Sequence, residues 1–258
     1  MIIKYYKILF FCSFLFAMIF NSDFIRLNTY FLNETIKQQD IINIKSEYSG
    51  ESLFYFGQCA FDEKFDFGLC RWVKDTVTFS INGDYSEEDS ICLFSTIEII
   101  NKSSNLKLVP SKYKFWFSDI KIIFAPFMDD KRYGATANSF NVFNNITESI
   151  IFVLHNNQKQ QNRRNKVIMH ELLHAIGFLG HPNSYLGDPN IYLIGDAILS
   201  SKFDCLDSMP SYEKEAIKLL YDKRIPKHYT KEKFSKQFLP LKVYDKYFNR
   251  YVKVMKLS

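Results

Sequence analysis

Three of the five histidines in this chain fall within twelve residues, His170-Glu171-Leu172-Leu173-His174-Ala175-Ile176-Gly177-Phe178-Leu179-Gly180-His181. Around them Val167, Ile168, Leu172, Leu173 and Ile176 recur at helical spacing. On a helix, His170 and His174 project from one face, stacked a turn apart. Two imidazole nitrogens so placed can bind one Zn²⁺ at about 2.0–2.1 Å. Glu171, beside the first of them, flanks such a metal and can take a proton from a metal-activated water. Gly177 can adopt a positive φ and end the helix sharply. A third ligand just past that turn completes three protein ligands and one open position, which is the arrangement of catalytic zinc.

Upstream, the periodicity gives alternating strands and helices. Thr76 to Ile81 alternates with period two, as a half-buried strand does. Asn82-Gly83-Asp84 is a turn, and Ser86 followed by Glu87, Glu88 and Asp89 reads as an N-cap with an acidic first turn. Ile91, Phe94, Ile97 and Ile100 then follow helical spacing. Leu106–Val109, Asp119–Pro126 and Ser149–Leu154 are further strands, and strand–helix–strand order implies parallel pairing. Tyr133 to Ala137 is small and loop-like, and Gln158 to Lys166 is a polar, basic connector. Beyond the histidines, Pro210 and Ser211 start another helix, with Ala216, Ile217, Leu220 and Tyr221 on its apolar face. Residues 23 to 70 have no clean period and read as a pro-like or packing extension, in which the Cys59 thiol either caps the metal or enters a disulfide.

The first residues set the expected compartment. Lys4 and Lys7 precede an apolar run from Ile8 to Phe20, a basic n-region and an h-region of signal-peptide length. The run is short of the ~20 residues that span a bilayer. No A-x-A pattern precedes Asn21, so residues 1–22 are either a cleaved export signal or a retained anchor. Without Cys12 the chain keeps Cys59, Cys70, Cys92 and Cys205. In an exported protein that even count suggests two disulfides, Cys59–Cys70 and Cys92–Cys205, with buried thiols as the alternative. From Asp222 to Ser258 there are 11 Lys+Arg against 3 Asp+Glu, a net +8 in a chain of net +5. That tail either packs on the domain as a solvated extension or adheres to an anionic surface, and the apolar N-terminus offers a second route to a membrane. A charge of +5 over 258 residues gives no reason to expect a nucleic acid partner.

With these residues in view, the chain resembles the metzincin clan of zinc endopeptidases and, within it, the matrixin-like branch. His170, Glu171, His174 and Gly177 match that pattern. The third histidine, expected at Gly180, stands one residue later at His181, with Asp188 as the alternative third ligand. The segment ending Asp119-Ile120-Lys121-Ile122 resembles the strand with an Ala-Asp-Ile pattern, and Ser211 to Tyr221 resembles the C-terminal helix. The methionine of the turn beneath the zinc is absent. Leu199 stands in its place, or Met209 takes the role. The resemblance implies an α/β (α+β), zincin/metzincin-like fold, a twisted mixed sheet packed on a long helix and on the active-site helix. It places the peptidase domain over residues 71–225, and the residue patterns divide the rest into a signal peptide or anchor over 1–22, an extension over 23–70 and a basic extension over 226–258.

The resemblance further implies an exported enzyme that cleaves protein or peptide substrates with one Zn²⁺ held by His170, His174 and His181. Glu171 would take the proton of the attacking water and pass it to the leaving amine. The substrate would pair with an edge strand, for which Ile150 to Leu154 is the candidate. The competing readings are an exported zinc-binding protein without peptidase activity, and hydrolysis of a non-peptide amide. A structural zinc site would need a fourth protein ligand.

Overall fold

The computed structural model describes residues 35–61, 68–113, 115–126, 133–154, 161–182, 198–199 and 209–239. Expectations placed on the N-terminal apolar run, Asp188 and Cys205 lie outside them. Six strands form one sheet: β1 (Arg71–Trp72), β2 (Thr76–Gly83), β3 (Lys107–Pro110), β4 (Ile120–Ala125), β5 (Gly134–Phe140) and β6 (Asn145–Leu154). The spatial order is β1-β6-β4-β2-β3, all parallel, with β5 antiparallel on the far side of β6. The helices are α1 (Gln38–Glu47), α2 (Gly50–Cys59), α3 (Glu87–Ser103), α4 (Gln161–Ile176), α5 (Ser211–Leu220) and α6 (Lys231–Phe238).

Local sequence rules account for most of this. At Ser86, the hydroxyl accepts from Asp89 N and the Asp89 carboxylate accepts from Ser86 N at 2.8 Å, a capping box that starts α3. Parallel β2 and β4 are joined by Asp119, whose Oδ2 accepts from Thr78 N and Oγ1 at 2.8 and 2.9 Å. The β4 side chains Ile120, Ile122 and Phe124 are buried, as a strand covered by helices requires.

Three expectations are corrected. Gly134 to Phe140 is a strand, not a loop. Its small polar residues carry no strand period, and the pairing with β6 supplies what propensity does not. Consequently the edge that can receive an extended peptide is β5. Ile150 to Leu154 is flanked by β4 on one side and β5 on the other. Second, the histidine helix begins at Gln161, inside the stretch read as a connector. Arg164 is nearly buried there and ion-pairs with the fully buried Asp89, tying α4 to the start of α3. Third, no disulfide is present among the described residues, where Cys59, Cys70 and Cys92 are all buried. The Cys70 thiol points to Gly68 O at 3.6 Å and the Cys92 thiol to Asn165 O at 3.5 Å.

The segment without a period forms α1 and α2, and both enter the same core as the sheet. Phe56 is fully buried, 4.8 Å from the Phe234 ring on α6 and 6.4 Å from the Phe178 ring in the turn after α4. The start of the basic tail is likewise folded in, with Phe234 and Phe238 buried. Among the described residues no helix is long and apolar enough to cross a membrane. Phe56→Ala is expected to cost about 3–5 kcal/mol in urea denaturation. A loss under ~1 kcal/mol would show that α2 does not belong to the core.

Candidate metal centre

The last turn of α4 carries the site, and its end is held from four directions. The four C-terminal carbonyls of a helix lack helical partners. Here Leu173 O accepts from Phe178 N at 3.1 Å, and His174 O from Asn138 Nδ2 on β5 at 2.9 Å. Ala175 O accepts from Trp72 Nε1 on β1 at 2.9 Å, and Ile176 O from the Tyr221 hydroxyl after α5 at 2.7 Å.

Beyond it the chain turns through Gly177, at φ +122°. Gly180 then packs against the end of α2. Its N–H donates to Cys59 O at 2.8 Å, and a Cβ there would stand 2.6 Å from Phe61 O. This close approach accommodates the extra residue in the turn and returns the chain so that His181 faces α4. The Cys59 thiol is not part of the histidine group.

The three imidazoles converge. His174 Nε2 lies 3.1 Å from both His170 Nε2 and His181 Nε2, and the remaining pair is 3.2 Å apart. Ligands at 2.0–2.1 Å around a tetrahedral zinc stand about 3.3–3.4 Å from one another. His170 Nδ1 donates to Ile198 O at 3.0 Å and His174 Nδ1 donates to Phe178 O. A carbonyl only accepts, so both rings carry their proton on Nδ1 and present Nε2 lone pairs to each other. Burial holds the His170 pKa down at about 4 and puts that of His174 well below its ordinary value, with the neighbouring imidazoles adding to the shift. Both are therefore neutral at physiological pH. Lone pairs directed at one another at this distance fit a cation between them. The donor set, three nitrogens without sulfur, fits Zn²⁺.

A cleft of about 420 Å³ opens onto these nitrogens, lined by β5, the histidines and Glu171. Glu171 is 6% exposed, and its Oε2 accepts from Thr136 Oγ1 at 2.7 Å. The same hydroxyl lies 3.0 Å from Glu171 O, and the shorter contact is the one to the carboxylate. Thr136 and Asn138, two residues apart on β5, thus hold Glu171 and the backbone of His174. Neither was signalled by the sequence, because their strand was not.

Below the site, Ile198 and Leu199 are fully buried, in the segment read as the turn beneath the metal. Met209 is buried too, beside the start of α5, and Ile198 is the residue that reaches His170. Ile198 N in turn donates to Glu213 Oε1 at 2.8 Å. Glu213 was not singled out from the sequence; its signal is a carboxylate in register with Ala216, Ile217 and Leu220 on the apolar face of α5.

No family model matches the chain, and no curated protein matches it. Solved structures similar to it include myroilysin, with a TM-score of 0.38 and 11% identity over 60% of this chain and 97% of that one. A second myroilysin structure gives 0.37 and 12%, over 63% and 94%. High choriolytic enzyme 1, a hatching enzyme zinc-protease from the medaka Oryzias latipes, gives 0.36 and 14%, over 59% and 94%. Likeness at this level assigns no family, and the functional reading rests on the geometry of the site.

Burial pushes the Glu213 pKa up to about 7, against about 4.3 in an unfolded chain. The folded state binds this proton more tightly, so its contribution to stability is full below about pH 4.3 and is lost as the pH rises through 7. With metal chelated, Glu213→Gln should flatten the fall in stability between about pH 5 and pH 8. It should leave the variant about 1–3 kcal/mol more stable at the upper end. Thermal melts that run parallel for the two proteins would contradict this.

Proposed function

We propose that this chain is a zinc-dependent endopeptidase. The observation that carries the reading is the convergence of three imidazole Nε2 atoms beside a buried carboxylate in an open cleft. His170, His174 and His181 would hold the ion. Bound there, Zn²⁺ would supply a Lewis acid that acidifies water and polarises a carbonyl. The single motif His170 to His181 supplies both the ligands and the carboxylate that hydrolysis requires.

The residues of the chain do the rest. Glu171 accepts the proton of the attacking water and delivers it to the leaving amine, as a general base and then a general acid. Thr136 donates to Oε2 of that carboxylate and so orients it beside the histidine nitrogens. β5 lines the cleft and has one edge unpaired by β6, so an extended peptide can add to it as a further strand. Main-chain pairing of this kind selects a peptide over another amide. A purely structural zinc site needs a fourth protein ligand, and among the described residues the group holds three. Export and the removal of an N-terminal segment belong to this proposal as expectations from the sequence.

Glu171→Ala should retain one equivalent of zinc and lose hydrolysis of a casein-type substrate, and a chelator should abolish wild-type activity. Full activity in the variant would overturn the mechanism. Thr136→Val should lower kcat by about 10–100-fold, the worth of a hydrogen bond to a charged group. KM and zinc content should change little, and Thr136→Ser should restore the rate. Equal rates for the Val and Ser variants would remove Thr136 from the mechanism.

A further inference from the structure

A second concave region shares no residue with the histidine cleft. Two clefts, of about 650 and 620 Å³, meet at Asn105, Tyr221 and Lys223 and so form one trough along the end of α3, the exposed side of α5 and the loop that follows it. Eight Lys and Arg line it against three carboxylates, Asp75, Glu215 and Asp222. The lining therefore carries an excess of five positive charges.

Half of these cations have other work. Arg71 donates to the carbonyls of Leu220, Asp222 and Ile225. Arg224 is clamped between Asp222 and Glu47. Lys74 pairs with Asp119, and Lys102 with Glu98. The other four, Lys214, Lys218, Lys223 and Lys227, make no ion pair among the described residues. Lys218 lies 5.5 Å over the Tyr48 ring and acts at longer range on Glu47 and Glu215, but the two carboxylates of this wall are committed elsewhere. Glu215 Oε2 accepts from Ser49 N and Oγ at 3.0 and 2.7 Å, and Asp222 is taken by Arg224 and the Tyr48 hydroxyl. Lys214 and Lys218 stand one turn apart on α5, a mildly repulsive arrangement in the absence of a ligand.

We infer that this trough binds a linear polyanion, specifically a sulfated or phosphorylated polysaccharide. Ammonium groups act as point charges toward sulfate or phosphate and need no fixed bidentate geometry. A recessed wall suits a chain that can lie within it better than the flat face of a bilayer. Single-stranded nucleic acid is disfavoured because Tyr48, Trp72 and Tyr221 are buried, and Phe143 is the one exposed Phe, Tyr or Trp ring among the lining residues, too few for successive bases to stack on. The site is independent of the proposed hydrolysis and would hold the protein on an anionic matrix while the histidine cleft stays open.

The full chain should bind a heparin oligosaccharide in a salt-dependent titration. Replacing Lys214, Lys218, Lys223 and Lys227 by Gln should weaken binding at least about tenfold and lower the salt slope by about one per lysine removed. Melting temperature and zinc content should stay at wild-type values. Should the fourfold variant fold poorly, Lys223→Gln/Lys227→Gln, confined to the loop after α5, should give about half the loss of slope. Binding unchanged in these variants would overturn the assignment. So would single-stranded DNA competing as well as heparin, or lysine-dependent pelleting with phosphatidylserine vesicles.

Discussion

The end of α4 is the constraint on which the rest depends. Four carbonyls there have no helical partners, and each is taken by a different part of the chain: the turn itself, β5, β1 and the residue after α5. An unpaired buried carbonyl costs about 1–3 kcal/mol, so together these bonds set where the helix stops and which way the following turn runs. With the helix end fixed, the positions of His170 and His174 are fixed, and the turn brings back His181. The acceptor nitrogens of His170 and His174, 3.1 Å apart, do not attract one another. Surrounding structure holds them there, which is the condition for a preformed metal site.

That holding is distributed. Ile198 O fixes the proton of His170 on Nδ1, Glu213 fixes Ile198, and the apolar face of α5 carries Glu213 into the core. The α2 end sets the path of the turn through Gly180, and Phe56 joins α2 to both that turn and α6. The N-terminal helices and the first part of the tail are therefore packed into the wall behind the site. The face in front of the site is β5, whose Thr136 and Asn138 reach the Glu171 carboxylate and the helix end.

Much of this was legible in the residues. The helical spacing of His170, Glu171 and His174, the cap at Ser86 and the β2 and β4 strands are local features with local causes, and each is found at or near its expected place. The one-residue offset of His181 was legible as an anomaly, but its resolution was not, because it depends on Gly180 meeting the carbonyls of α2, more than a hundred residues away in sequence. β5 was invisible because small polar residues have no strand pattern of their own and take the conformation from β6. The N-terminal helices were missed for a related reason: α1 and α2 bury scattered aromatic residues against tertiary partners, without a sustained stripe. Cysteine counting misled, because pairing depends on side-chain direction, and the Cys70 and Cys92 thiols face backbone carbonyls.

The central claim is that three imidazoles of one chain hold a zinc ion whose remaining position is open to the cleft. X-ray absorption at the zinc edge on the purified full chain, with metal quantified in the same sample, tests it most directly. One zinc per chain is predicted, with three nitrogen neighbours at about 2.0–2.1 Å, a light-atom fourth neighbour and no sulfur. The nitrogen count should fall to two in His181→Ala. A sulfur neighbour, a fourth imidazole, or full occupancy with unchanged coordination in that variant would contradict the account.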